Sequence, residues 1–292
     1  MYHGKDSARE DKSMTIKKRV FAPEYSRTPE GWIVFPRDVE LRRKLFVPES
    51  FQHPAKMSLH LLRSIIDLVS EPRDKLLDCM SGTGSIMIAT LPLEQARQVY
   101  LIEDSPYFHK LQCNNKELFI AKGVPDANIT LLQGPCQDYL PLTGFFDHVI
   151  FSPPYADTLN HGDAAKDLDS DFMKSMFPTW ERESLVDYIG SSKNLGRMTS
   201  FFYNQAMAKI YPLLLESLRP GGTMTIVLMD QMRLGKRIGL SDWAMRTCIR
   251  AGFELLFWEK REASNTGFKQ RHRAKGYDTI NDEDVLGFIK PL

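Results

Sequence analysis

Apolar residues fall along this chain in two periods. Leu61, Leu62, Ile65, Ile66 and Val69 recur at helical spacing, which predicts an amphipathic helix over 57–69 that covers one face of a sheet. Short apolar runs follow at 75–77, 99–103, 129–132, 147–151 and 223–228, with helical stretches between them. That alternation predicts an α/β domain with a doubly wound, mostly parallel sheet and crossover helices. The segment 198–218 reads as a helix, stopped by Arg219-Pro220-Gly221-Gly222 before the strand at 223–228, and a further helix is predicted over 241–251. The runs 253–258 and 284–289 then read as two strands joined by a long loop, an antiparallel pair at the sheet's edge.

Polar composition divides the rest. Residues 1–40 read as an N-terminal arm: a charged stretch with the cluster Lys17-Lys18-Arg19, followed by a short extended segment, Gly31 to Pro36, packed onto the domain. Residues 41–292 read as one catalytic domain. It is interrupted by an insertion over 156–198, much longer than a usual connection of about 2–6 residues, and by a basic loop over 260–280. The insertion carries Phe172, Phe177, Trp180 and Tyr188, and its first half is acidic through Asp163, Asp167, Asp169 and Asp171. This suits a lid or target-recognition region whose acidic half faces away from phosphates. The basic loop gathers Lys269, Arg271, His272, Arg273 and Lys275, a natural place for phosphate contact because the chain as a whole carries a net charge of only +1.

A length of 292 residues at 42% hydrophobic content is enough for a large core and leaves little for a second domain. The four cysteines, at 79, 113, 136 and 248, lack metal-ligand spacing, so no metal is expected and the thiols are read as reduced and mostly buried. No apolar run approaches the ~20 residues that span a bilayer and no signal-peptide core is seen; the expectation is a soluble, cytoplasmic protein without membrane partners.

Candidate chemistry gathers at strand ends. The apolar strand at 75–77 runs into Asp78, then Cys79, Met80, Ser81, Gly82, Thr83, Gly84 and Ser85. Glycines in such a turn let the backbone approach a cofactor, and the helix-like stretch 86–89 that follows would present unpaired N–H groups. The next strand ends in Glu103 and Asp104 about 20 residues on, where a carboxylate accepts hydrogen bonds from ribose hydroxyls. No third glycine completes a dinucleotide fingerprint, which favours a nucleoside cofactor without a pyrophosphate. The strand at 147–151 ends in Ser152-Pro153-Pro154-Tyr155, a hydroxyl, a stiff Pro-Pro pair and an aromatic ring at a rigid tip. Such a tip suits a flat ring bearing an exocyclic amine.

With these segments in view, the chain resembles the DNA amino-methyltransferases of the N4-cytosine and N6-adenine type, which use S-adenosyl-L-methionine. The likeness rests on Phe51-Gln52-His53-Pro54-Ala55-Lys56-Met57, on Asp78 to Gly84, and on Ser152 to Tyr155, in that order, and extends from about residue 41 to the C-terminus. It implies a Rossmann-like methyltransferase sheet. It also implies a cofactor held by His53, Ala55, Lys56, Asp78, Met80, Ser81, Gly82, Thr83, Gly84, Glu103, Asp104, Gly134, Pro135 and Cys136, with Lys56 near the cofactor's carboxylate. Ser152, Pro153, Pro154 and Tyr155 would be the catalytic tip, acting on a base flipped out of DNA, and a restriction partner is conceivable. Two positions depart from the family's pattern. Cys79-Met80 stands where members usually have Pro-Phe, and Pro135 stands where many have an Asp near the cofactor's adenine, a contact that Cys136 or Gln137 would have to replace. Ser at the first position of the tetrapeptide resembles cytosine N4 enzymes more than adenine N6 enzymes. Adenine N6 methylation of DNA, methylation of an RNA base and a non-catalytic cofactor-binding subunit are the alternatives.

Overall fold

The computed structural model describes residues 16, 19–52, 56–154, 195–233, 235–263, 273–274, 276 and 278–292. Five strands run parallel: β1 (Lys75–Asp78), β2 (Gln98–Glu103), β3 (Ile129–Gln133), β4 (Phe146–Phe151) and β5 (Leu218–Leu228). A separate two-stranded ribbon, β6 (Gln231–Arg233) and β7 (Lys236–Ile238), follows β5. The last two strands, β8 (Glu254–Glu262) and β9 (Asp282–Ile289), pair antiparallel, and β9 also pairs antiparallel with β5. The sheet order is β3-β2-β1-β4-β5-β9-β8. This is a doubly wound, mostly parallel α/β sheet with antiparallel strands at one edge, as the alternating pattern led one to expect.

Strand residues alternate between two faces, as a period of two requires. Leu76, Val99, Leu101, Ile150, Val227 and Val285 turn to one core, where they meet Leu62, Ile65 and Ile66 of the helix over Leu59–Val69. Helix α1 is Val39–Leu45 and α2 is Leu59–Val69; Ser58 caps α2 by accepting from the Leu61 N–H. Leu77, Ile102, Val149, Phe151, Met224 and Phe288 turn to the second core. There they meet α4 (Ser200–Ser217) and α5 (Leu240–Ala251), while α3 (Pro106–Ala121) crosses between β2 and β3. At the lower edge the buried His148 bridges neighbouring strands, with Nδ1 2.7 Å from Thr223 Oγ1 and Nε2 3.0 Å from Asp74 Oδ2.

Three features differ from the sequence reading. The stretch after Gly84 is a six-residue 3₁₀ turn, Ser85–Thr90, rather than an α-helix. Strand β5 begins at Leu218, directly after α4, and takes Arg219-Pro220-Gly221-Gly222 into its length instead of being preceded by them. Gly222 makes this possible, since a Cβ there would stand 2.8 Å from the carbonyl oxygen of Asp147 on β4, while Arg219 pairs with the Asp147 carboxylate. The register between β4 and β5 slips there, between Phe146 and His148.

The third difference is at the N-terminus, where the charged stretch was read as a loose arm. From residue 19 onward the described part forms a strap against β8. Phe21 is buried and stacks on Phe257 at 5.9 Å, Arg27 pairs with Glu259 at 3.2 Å, and Ile33 forms a bridge to Arg261. Ile33 lies in the segment 31–36 expected to pack onto the domain; Phe21 and Ala22, spread among charges, extend that packing toward the N-terminus.

Candidate active site

Strand order reverses between β1 and β4: the chain moves outward through β2 and β3 on one side and through β5 on the other. Ligands in such sheets sit beyond the carboxyl ends of the strands at that reversal. Asp78 ends β1, Glu103 ends β2, Gly134 follows β3 and Ser152 follows β4, so the four predicted tips lie side by side on one edge.

The glycine turn is built from backbone geometry and buried amides. Gly82 and Gly84 have φ of 50° and 82°, conformations that disfavour a side chain. A Cβ on Gly84 would also press on Met87 at 3.0 Å and Leu101 at 3.1 Å. Asp78 accepts from the Met80 N–H (3.1 Å), and Ser81 donates to the Ile102 carbonyl (2.9 Å). Glu103 receives the N–H of Gly82 at 2.7 Å and that of Ser105 at 2.9 Å, and so ties the β2 tip to the turn. Met80 and Gly82 are partly exposed, Ser81 and Thr83 buried.

Helix α3 supplies the support that sequence reasoning missed. Gln112 donates to Ser81 Oγ at 2.8 Å and to the Gly82 carbonyl at 2.6 Å. Asn115 donates to the Thr83 carbonyl at 2.9 Å and to Ser50 Oγ at 2.9 Å, and accepts from the Val47 N–H at 2.8 Å. The signal was present as two amides three residues apart, hence on one helix face, between the buried Phe108 and Phe119. Both amides are fully buried.

A second support lies at the N-terminal side. The buried Arg42 guanidinium donates to Asp38 Oδ2 at 2.9 Å and to Ser85 Oγ at 3.1 Å, and also reaches the Met57 carbonyl. Asp38 Oδ2 accepts the Leu59 N–H at 2.8 Å. Lys56 Nζ donates to the Phe51 carbonyl at 2.6 Å. Burial, and then the neighbouring Arg42 charge, lower the Lys56 ammonium to about 8, with Asp38 opposing. The Arg42–Asp38 pair thus stands beside the glycine turn, close enough to Lys56 for both charges to act on it.

Carboxylate chemistry at the tips is perturbed. Burial pushes Asp78 up to about 7 against the hydrogen bond from Met80. Glu103 is pushed up to about 8, first by burial, with the two N–H donors opposing and the charges of Asp78 and Asp104 adding. Asp104 itself is exposed. Such groups recover their charge when a ligand brings hydrogen-bond donors or positive charge. The donor set thus fits a nucleoside carrying ribose hydroxyls, a cationic centre and, toward Lys56 and Arg42, a carboxylate. These are the parts of S-adenosyl-L-methionine.

At the remaining tips, Gly134 takes φ of 139° and donates its N–H to the Glu103 carbonyl at 2.9 Å. Pro135 is partly exposed. Cys136 turns away from the cleft into the core beside Cys79, where burial and the Cys136 thiol raise Cys79 well above an ordinary thiol. Of the two replacements considered for the missing Asp, only Gln137 stands exposed. Ser152 and Pro154 are half-buried and Pro153 is buried, directly after the core residue Phe151. Arg273 is exposed and bonds to Thr279 Oγ1 at 2.9 Å and to Asn281. His53, Ala55, Tyr155, the insertion as far as 194, Lys269, Arg271, His272 and Lys275 lie outside the described residues. Among the described residues no cluster of metal-ligating side chains occurs, and no helix is long and apolar enough to cross a membrane.

No protein-family model matches the sequence, and no curated protein does. Solved structures do align. TrmN from Thermus thermophilus shares 16% identity over 85% of this chain and 52% of its own, at a TM-score of 0.48; the present chain thus spans about half of that protein. A methyltransferase from Pyrococcus furiosus shares 14% identity over 98% of both chains at a TM-score of 0.45. The cyclase SpnF shares 17% over 82% of this chain and 83% of its own at 0.49. Each is a similarity of architecture, and one architecture hosts many reactions, so what the chain does must be read from its own residues.

Proposed function

We propose that this protein is an S-adenosyl-L-methionine-dependent methyltransferase that modifies the exocyclic amine of a base in DNA, cytosine N4 in the first instance. The observation that carries the reading is the placement of Asp78, Glu103 and Ser152 on adjacent strand tips across the point where strand order reverses. Cofactor and target sites then share one edge of the sheet.

When bound, the cofactor supplies an electrophilic methyl group on a cationic sulfur. The chain's residues do the rest. Glu103 and Asp78 accept ribose and cofactor hydrogens at the β2 and β1 tips, Lys56 meets a carboxylate, and the turn from Ser81 to Gly84, braced by Gln112 and Asn115, brings backbone close to the ligand. An aromatic amine is a poor nucleophile because its lone pair is delocalised into the ring. The Ser152 hydroxyl and the Pro153 carbonyl accept the two amine hydrogens and concentrate the lone pair on nitrogen. Pro153 and Pro154 fix the direction of those acceptors. Positioning and preorganised acceptors supply most of the barrier lowering, and the proton departs afterward. Within duplex DNA the base is first flipped out at a cost of a few kcal/mol.

Calorimetry with S-adenosyl-L-methionine and a methyl-transfer assay on genomic DNA, digested to nucleosides and weighed by mass spectrometry, test this. Ser152→Ala should lower transfer by roughly a hundredfold, the range for removal of one preorganised hydrogen-bonding group, while leaving cofactor affinity within about twofold. Asp78→Asn should weaken cofactor binding first. Equal loss of both properties in Ser152→Ala would refute its assigned role, and methyl found on adenine or in RNA would reassign the target.

A further inference from the structure

Helix α3 faces two ways. Its inner side carries Gln112 and Asn115, which hold the glycine turn, and its outer side carries Cys113, the one exposed cysteine of four; Cys79, Cys136 and Cys248 are buried. Cysteine is among the residue types most often buried, so an exposed thiol on a regular helix asks for a reason. His109 lies one turn earlier, half-buried, and its Nδ1 stands 4.0 Å from Cys113 Sγ. The backbone beneath the pair is fixed: Ser105 caps the helix by accepting from the Phe108 N–H, and the His109 N–H donates to the Ser105 carbonyl at 2.9 Å.

No two cysteines share a metal-ligand spacing, yet this histidine and cysteine do. Residues four apart on a helix project side by side, and that spacing lets two helical histidines grip one zinc ion. With Zn–S of about 2.3 Å and Zn–N of about 2.0–2.1 Å, a tetrahedral ion sets sulfur and nitrogen about 3.6 Å apart. The observed pair needs only a small side-chain rotation to reach that separation. Imidazole and thiolate together suit zinc and its neighbours among the transition metals, whereas magnesium and calcium take oxygen. Among the described residues no third ligating side chain stands with them, so two positions of a tetrahedron are left for water or for a second copy of the pair.

We propose that His109 and Cys113 chelate a transition-metal ion of the zinc class on the outer face of α3. As the sulfur–metal bond forms, the Cys113 thiol releases its proton to solvent and no electron is transferred. The chelate closes over Lys110, Leu111 and Gln112, and Gln112 donates to Ser81 Oγ at 2.8 Å and to the Gly82 carbonyl at 2.6 Å. A bound ion therefore stiffens the helical turn that braces the glycine turn from behind. The metal site stands independently of the cofactor and target assigned above.

The full chain, reduced and stripped of metal, is titrated with Co2+, whose thiolate complexes show a near-ultraviolet charge-transfer band and which zinc displaces. The parent should give that band at about one ion per chain, or at about one per two chains with a doubled mass in sedimentation where a second copy fills the open positions; both support the chelate. Cys113→Ser should abolish the band. His109→Ala should weaken binding by about tenfold or more, since even outer-shell partners of a metal are worth that much. Cys113→His keeps the spacing and should hold zinc against a colorimetric chelator without any band. Both positions lie on the outer face of the helix, so the metal-free variants should melt with the parent, and zinc should raise the midpoint of the parent but not of Cys113→Ser or His109→Ala. Absence of the band in the parent, its survival in Cys113→Ser, or parent affinity in His109→Ala would overturn the proposal.

Discussion

Asp78 and Glu103 are single residues whose burial makes the protein's behaviour depend on pH. Burial pushes them up to about 7 and about 8, against unfolded values of about 3.9 and 4.3. Because the folded state keeps protons that the unfolded chain releases, stability without ligand should be fullest below pH 4 for these two groups. It should fall as pH rises through about 7 to 8. Binding of the proposed cofactor should restore the charges and expel protons, so affinity should rise between about pH 6 and 8. Calorimetry in buffers of different ionisation enthalpy measures that release directly; Asp78→Asn or Glu103→Gln should reduce it. Zero release in the wild-type chain would mean that both acids are already ionised. The two acids were legible in the sequence because each closes an apolar run. Gln112, Asn115 and Arg42 were not, since a buried amide or guanidinium reads as surface until the turn it holds is seen in space.

Among the elements, β9 shows the strictest packing demand. Gly287 pairs with Phe257 of β8, and a Cβ at that glycine would lie 2.1 Å from the phenylalanine ring. The ring lies across the bare backbone. Gly287→Ala should therefore destabilise the fold by about 1–3 kcal/mol, seen as a lower urea midpoint, and Gly287→Ala with Phe257→Leu should recover part of the loss. If the single variant is as stable as the parent, the ring is not fixed there. Strand positions were largely readable because runs of Val, Ile, Leu and Phe bounded by Gly or Pro define them. Their ends were less so. The β5 strand absorbed Pro220 and Gly222 because a close approach to Asp147 on β4 outweighed the turn preference of those residues. The ribbon β6–β7 was missed because its three-residue strands are too short for any period to show.

At the scale of the whole molecule, the N-terminal strap and the glycine turn belong to one core. Phe21 and Ile33 join the cluster that holds Ile86, Met87 and Leu62, so the strap braces from a distance the core that carries the turn after Gly84. Removing residues 1–35 should destabilise the fold by a few kcal/mol, since the buried Phe21 and Ile33, at about 1.5–3 kcal/mol each, go with the segment. A denaturant titration of the shortened chain checks this, and an unchanged midpoint would show the strap to be ornamental. Doubly wound topology was legible from the alternation of elements alone. Of the strap, only the extended segment 31–36 was legible; Phe21 and Ala22 were not, because two apolar residues among charges leave no periodic trace.

The order of strands also bears on how the molecule is made. Translation delivers β8 before β9, yet β8 joins the main sheet only through β9. On a ribosome, the first five strands can assemble as they emerge, whereas β8 must wait with its hydrogen-bonding edge bare. That interval is when the nascent protein is most open to pairing with a second copy of itself, because the strap, already synthesised by then, bridges β8 through Ile33 on the opposite edge and leaves that one open.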